Sequence, residues 1–147
     1  MKYLPLSFAA VALSLIAGCA SQPEAELDFP PPKVSLTIQD GGKSVPLRPG
    51  EFAMISLKEN ASTGYTWYFQ LDNGQKGPQP KDGQAVELAG ERVVPPKDMI
   101  PGAPGVREVM IKAVRPGTVY VVGRCIRPWE TNPVPAQTVR YRFEVAP

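Results

Sequence analysis

From Lys33 onward apolar and polar residues alternate with period two, and runs with the 3.6-residue period of a helix are hard to find. Seven such runs predict strands: Val34–Ile38, Glu51–Lys58, Tyr65–Leu71, Ala85–Val94, Val106–Val114, Thr118–Ile126 and Thr138–Val145. The last is the clearest. Val139, Tyr141, Phe143 and Val145 face one way and Arg140, Arg142 and Glu144 the other, which gives one buried and one wet face. The fold class this predicts is all-β, an antiparallel sandwich of about seven strands.

The connections differ in kind. Two of them end in the same tripeptide, Arg48-Pro49-Gly50 and Arg115-Pro116-Gly117, where Pro presets φ and Gly accepts positive φ, so both predict tight turns. Asn73-Gly74 opens a longer polar link reaching Gly83. The other three, after the second, fourth and sixth predicted strands, carry unusual residues. If successive strands run in opposite directions, alternate loops emerge at the same end, so these three share one edge, as binding loops do in an immunoglobulin-like sandwich.

Composition narrows the chemistry. The 147 residues include 43% hydrophobic ones, enough for one packed core in a single domain. Lys+Arg 16 against Asp+Glu 14 leaves a net charge of +2, which argues against a nucleic-acid partner. Histidine is absent, so there is no Ser-His-Asp triad, no Cys-His dyad and no zinc site with an imidazole ligand. Two cysteines, Cys19 and Cys125, cannot form a four-cysteine site, and neither a metal nor another cofactor is expected. Ser62 and Thr63 have no base to activate them, so no catalytic residue is assigned and the chain does not read as an enzyme. Cys125 falls in register with Val119 and Val121 and is expected to be buried.

The N-terminal segment reads as an address. Lys2 precedes an apolar run, Leu4 to Ile16, that is short for a membrane span of about 20 residues and fits a signal peptide over residues 1–18. Its end, Leu15-Ile16-Ala17-Gly18-Cys19, resembles the bacterial lipobox, which implies cleavage before Cys19 and a lipid on that cysteine. The residue after Cys19 is not Asp, which resembles outer-membrane lipoproteins; the implied location is the bacterial envelope, at the outer membrane facing the periplasm. Residues 20–33, with Pro23, Pro30, Pro31 and Pro32, read as an extended tether reaching on the order of 40 Å at about 3.1 Å per residue. The domain then covers residues 34–147.

The three unusual loops carry a second resemblance. Asn60-Ala61-Ser62-Thr63-Gly64-Tyr65-Thr66-Trp67 is similar to the N-P-T-T-G-Y-x-W motif of chagasin-type inhibitors of papain-family cysteine peptidases. Gly102-Ala103-Pro104-Gly105 is similar to that family's G-x-G-G loop, and Arg127-Pro128-Trp129 to its third motif, in the family's order. The resemblance covers roughly Val34 to Val145 and implies a monomeric inhibitor whose loops enter a papain-family peptidase's active-site cleft. The binding residues it implies are those of the three motifs, Asn60 through Tyr65, Gly102 through Gly105, and Arg127, Pro128 and Trp129. Ala61 and Ser62 stand where the family has Pro and Thr; Pro104 stands at a glycine position, removing a backbone donor and forbidding positive φ there.

On physical grounds Gly64 beside β-branched Thr63 predicts a turn with positive φ or a close backbone approach, which a plain turn satisfies; it is the company of the other two motifs that makes Ser62 and Thr63 a narrow wedge whose amides and hydroxyls offer hydrogen bonds to a cleft. Trp67 shares a face with Tyr65, Phe69 and Leu71 and is expected in the core. Trp129, beside Pro128 and a polar loop, is expected to be partly exposed, either as an anchor for a partner or packed on its own loop. Arg127 either meets the partner or braces its loop through carbonyls or Glu130. The alternative function is a non-inhibitory structural or adhesion module of the cell envelope with the same sandwich.

Overall fold

The computed structural model describes residues 28–74, 83–98 and 100–147; the expected signal peptide, Cys19 and residues 20–27 of the expected tether lie outside the described residues. Eight strands form two sheets: β1 (Val34–Leu36), β2 (Ser44–Leu47), β3 (Phe52–Glu59), β4 (Thr66–Asp72), β5 (Val86–Val94), β6 (Gly105–Ala113), β7 (Gly117–Ile126) and β8 (Gln137–Val145). One sheet has the order β1-β3-β6-β5 and the other β2-β8-β7-β4. The all-β sandwich is therefore as expected, with one strand more.

Six of the predicted strands agree with β3 to β8 to within a residue at each end. The first does not. It stops at Leu36, and Ile38–Asp40 forms a 3₁₀ turn whose N-cap, Thr37, accepts a hydrogen bond from the Gln39 amide at 3.3 Å. The chain there crosses between sheets: β1 pairs in parallel with β3, Val34 opposite Ala53, and β2 pairs in parallel with β8, Leu47 opposite Val145. The period-two pattern misses β2 because it is four residues long and contains Pro46. A proline lacks the N–H of a ladder, and β2 is an edge strand, where that loss is tolerated.

The matching tripeptides also part company. Arg48-Pro49-Gly50 is a tight turn, with Gly50 at φ +88° and the Glu51 amide donating to the Arg48 carbonyl at 3.0 Å. Arg115-Pro116-Gly117 is a bend whose glycine, at φ +145°, opens β7.

Between the sheets, Ile55, Ile111, Val119, Val121, Tyr141 and Phe143 are wholly buried. The Tyr141 hydroxyl donates to the Thr37 carbonyl at 2.8 Å, tying the sheet crossing to β8, and burial raises its pKa far above the ordinary phenol value. Cys125 is buried on β7 opposite Trp67, and burial first, then the charge of Glu59, raises its thiol pKa. Residues 28–33 lie ahead of β1. There the Phe29 ring sits against Gly90, whose Cβ, if present, would fall 2.9 Å from the ring, with the Arg92 guanidinium 4.8 Å from the ring centroid.

Candidate functional site

The three sequence motifs meet at one edge. β3 ends at Glu59 opposite Gly105, where β6 begins, and β7 reaches the same edge at Ile126, opposite Thr66. The Asn60–Tyr65 loop thus lies between the loop ending at Gly105 and the loop opening at Arg127, and bonds to both.

Within the central loop Ala61–Thr63 is a 3₁₀ turn capped by Asn60. The Asn60 Oδ1 accepts from the Ser62 amide at 3.2 Å and from its hydroxyl at 2.6 Å. Thr63 donates its hydroxyl to the Asn60 carbonyl at 2.7 Å, and its amide donates to the same oxygen at 3.1 Å. Both amides and both hydroxyl protons at the tip are therefore satisfied inside the loop. Ala61, Ser62 and Thr63 remain exposed, and what their hydroxyls offer outward is acceptor lone pairs. This is narrower than the donor-rich wedge the sequence suggests, and the reason is Asn60, whose side-chain Oδ1 takes the Ser62 donors and whose backbone carbonyl takes those of Thr63.

Asn60 also reaches sideways, its Nδ2 donating to the Gly102 carbonyl at 3.0 Å. The Gly102 loop is a tight turn in which the Ala103 amide donates to the Ile100 carbonyl at 3.0 Å, with Pro101 preset and Gly102 at φ +83°, as a type II turn requires. Gly105 is needed for close approach, since a Cβ there would lie 2.7 Å from the Val94 carbonyl oxygen. The positive φ thus falls on Gly102 and the tight contact on Gly105, so Pro104 between them is exposed and meets neither constraint.

The third motif folds over the central loop from the other side. Arg127 donates through Nε to the Thr63 carbonyl at 3.2 Å, lies 4.4 Å over the Tyr65 ring and approaches Glu130 at 3.5 Å. Of the two roles open for Arg127, the structure shows the brace. Trp129 is 68% exposed, yet the edge of its indole rests on Gly64, where a Cβ would fall 2.1 Å from Cη2. Gly64 is left-handed at φ +78°. Exposure and packing on its own edge both hold. Trp67 is a core residue, 3% exposed, its indole N–H donating to the Lys58 carbonyl at 2.9 Å.

Two residues not singled out from the sequence lie beneath these loops. Glu59 is buried and accepts from Arg107 at both carboxylate oxygens, Nε at 2.7 Å and Nη2 at 2.8 Å. Burial alone would raise its pKa, but the hydrogen bonds from Arg107, the Trp67 amide and Thr66 outweigh that and hold it below the ordinary carboxylate value. The alternation contains the signal: Glu59 continues the inward phase of Ala53, Ile55 and Leu57, and Arg107 that of Val109 and Ile111.

The model of the chagasin family of I42 peptidase inhibitors matches residues 47–145, spanning all three loops. The chain belongs to the chagasin family. Chagasin-family proteins are peptidase inhibitors and not enzymes. Amoebiasin-2 of Entamoeba histolytica is 24% identical over 106 residues, covering 72% of this chain and 80% of that protein. Among solved structures, the cysteine protease inhibitor EhICP2 of Entamoeba histolytica superposes with a TM-score of 0.62 at 24% identity, over 79% of this chain and 100% of that one. PbICP-C, solved in complex with falcipain-2, reaches 0.50 at 22% identity over 76% and 89%. The chagasin-like neighbours share the immunoglobulin-like sandwich.

Proposed function

We propose that this chain is a reversible inhibitor of papain-like cysteine peptidases that blocks the active-site cleft with its three-loop edge. Asn60–Tyr65 is the central wedge, flanked by Gly102–Gly105 and by Arg127, Pro128 and Trp129. Substrate is excluded sterically and no bond is cleaved. The observation that carries this reading is the cross-bracing of the edge: Asn60 to Gly102, Arg127 to Thr63, and Trp129 seated on Gly64. A surface already held in one arrangement loses little entropy on docking, which is what a tight competitor of substrate needs. The complex of PbICP-C with falcipain-2 supports the choice of partner. Attachment to the outer membrane through a lipid on Cys19, with the domain facing the periplasm, completes the proposal.

Titration of the chain against papain and a cathepsin L-like enzyme tests it. Competitive inhibition with the inhibitor recovered intact is expected. Failure to inhibit either enzyme would leave the envelope structural module as the reading.

A further inference from the structure

The Glu59 carboxylate lies where the central loop's two stems meet. It closes β3, and it accepts from the Trp67 amide at 2.8 Å and the Thr66 hydroxyl at 2.9 Å, both at the start of β4. β3 and β4 belong to different sheets, so no backbone ladder sets the distance between them. Side chains must set it. Arg107, two residues beyond Gly105 on β6, binds the same carboxylate with two nitrogens, reaches Thr66 Oγ1 at 3.1 Å and approaches Glu91 on β5 at 3.5 Å. The stems of two of the three loops, β3 with β4 and β5 with β6, therefore converge on one ion pair.

A buried pair is a poor means of stabilising a fold, since apolar side chains of similar volume often do as well. What apolar side chains cannot supply is direction. The Glu59 and Arg107 side chains are 5% and 15% exposed, so neither can itself form the outer surface of the edge. We infer that Glu59 and Arg107 are positioning residues for the inhibitory edge: their forked pair holds the stems of the central and Gly102 loops at the separation at which the edge fits a peptidase cleft. The inference rests on the inhibitor reading above.

The test uses the full chain with Arg107→Met, Arg107→Lys and the isosteric Glu59→Gln, each assayed at a temperature where melting curves show it fully folded. Arg107→Met and Glu59→Gln should weaken inhibition of papain by about tenfold or more, because loops displaced by a fraction of an ångström no longer match the cleft together. Arg107→Lys keeps the charge but not the fork and should recover part of the loss. Amide exchange of the free chain gives a second readout: the Ser62, Thr63 and Gly64 amides, bonded within the loop, should exchange faster in Glu59→Gln. Folded variants that inhibit like the wild type, with unchanged loop exchange, would overturn the inference. If the wild-type chain inhibits no papain-like enzyme, the inhibitor reading fails, and the exchange measurement still decides whether the pair positions the loops.

Discussion

Replacing Gly64 by alanine adds one methyl group at the centre of the candidate edge, and its consequences can be worked out separately for fold and function. The backbone there is left-handed at φ +78°, which costs a residue with a Cβ about 1–2 kcal/mol. The new Cβ would also stand 2.1 Å from Cη2 and 2.7 Å from Cζ2 of Trp129, so the indole must leave its seat. Trp129 is already 68% exposed, so its displacement sacrifices little burial and the stability loss should stay near the backbone figure. Binding should suffer more. With Trp129 as the aromatic anchor of the proposed edge, worth about 2 kcal/mol or roughly thirtyfold in affinity, Gly64→Ala should forfeit it without touching Trp129 chemically.

Gly64→Asn separates the two causes, since asparagine tolerates the left-handed region yet carries the same clash. It should melt close to wild type and still inhibit poorly. In a Trp129→Ala background the steric part of the Gly64→Ala effect should disappear, leaving the backbone cost alone. Urea denaturation and inhibition of papain supply the readouts. Wild-type inhibition by Gly64→Ala, or additive losses in the double variant, would show that the indole's seat on Gly64 is irrelevant to binding.

Further outcomes follow from other contacts. Trp67→Ala should destabilise the domain by about 3–5 kcal/mol, as emptied aromatic sites do, while Trp67→Phe should lose about 1 kcal/mol more than packing alone because the Lys58 carbonyl is left without its donor. Glu59 titrates at about 4.5 in the unfolded chain and lower in the folded one, so its contribution is full above that pH and is lost as pH falls through the folded value. The urea midpoints of wild type and Glu59→Gln should therefore converge below about pH 4.5; a gap that widens on acidification would contradict the assignment. Cys19→Ala should abolish fatty-acid labelling in cells, and equal labelling of mutant and wild type would remove the lipoprotein proposal.

Alternation made most of the sandwich legible, because strands with one wet face announce themselves every second residue. β8, with Tyr141 and Phe143 inward and Arg140 and Arg142 outward, is the model case. β2 escaped because its pairing is set by its edge position beside β8, a tertiary fact that Ser44-Val45-Pro46-Leu47 does not display. The same division runs through the edge. Residue types pointed to Trp129 and Gly64 separately, whereas their contact depends on two loops sixty-odd positions apart meeting in space. Glu59 and Arg107 interrupt inward-facing apolar series, and a charge in the wrong phase on each of two strands marks a buried pair once their pairing is known. That the hydroxyls of Ser62 and Thr63 turn back on Asn60 is a matter of rotamers, which spacing cannot convey.

The parallel pairing of β1 with β3 has an orientational consequence. Because Val34 lies opposite Ala53, the chain enters the sandwich at the pole remote from Asn60, and it leaves from the same pole, where Val145 lies opposite Gly117. The nine residues of β8 separate that pole from the loops by about 30 Å. Neither the start of β1 nor the end of β8 therefore crowds the loop edge. A sensor chip or a fused domain joined just after Val145 would sit at that pole, about 30 Å from the loops, and leave them facing away from it.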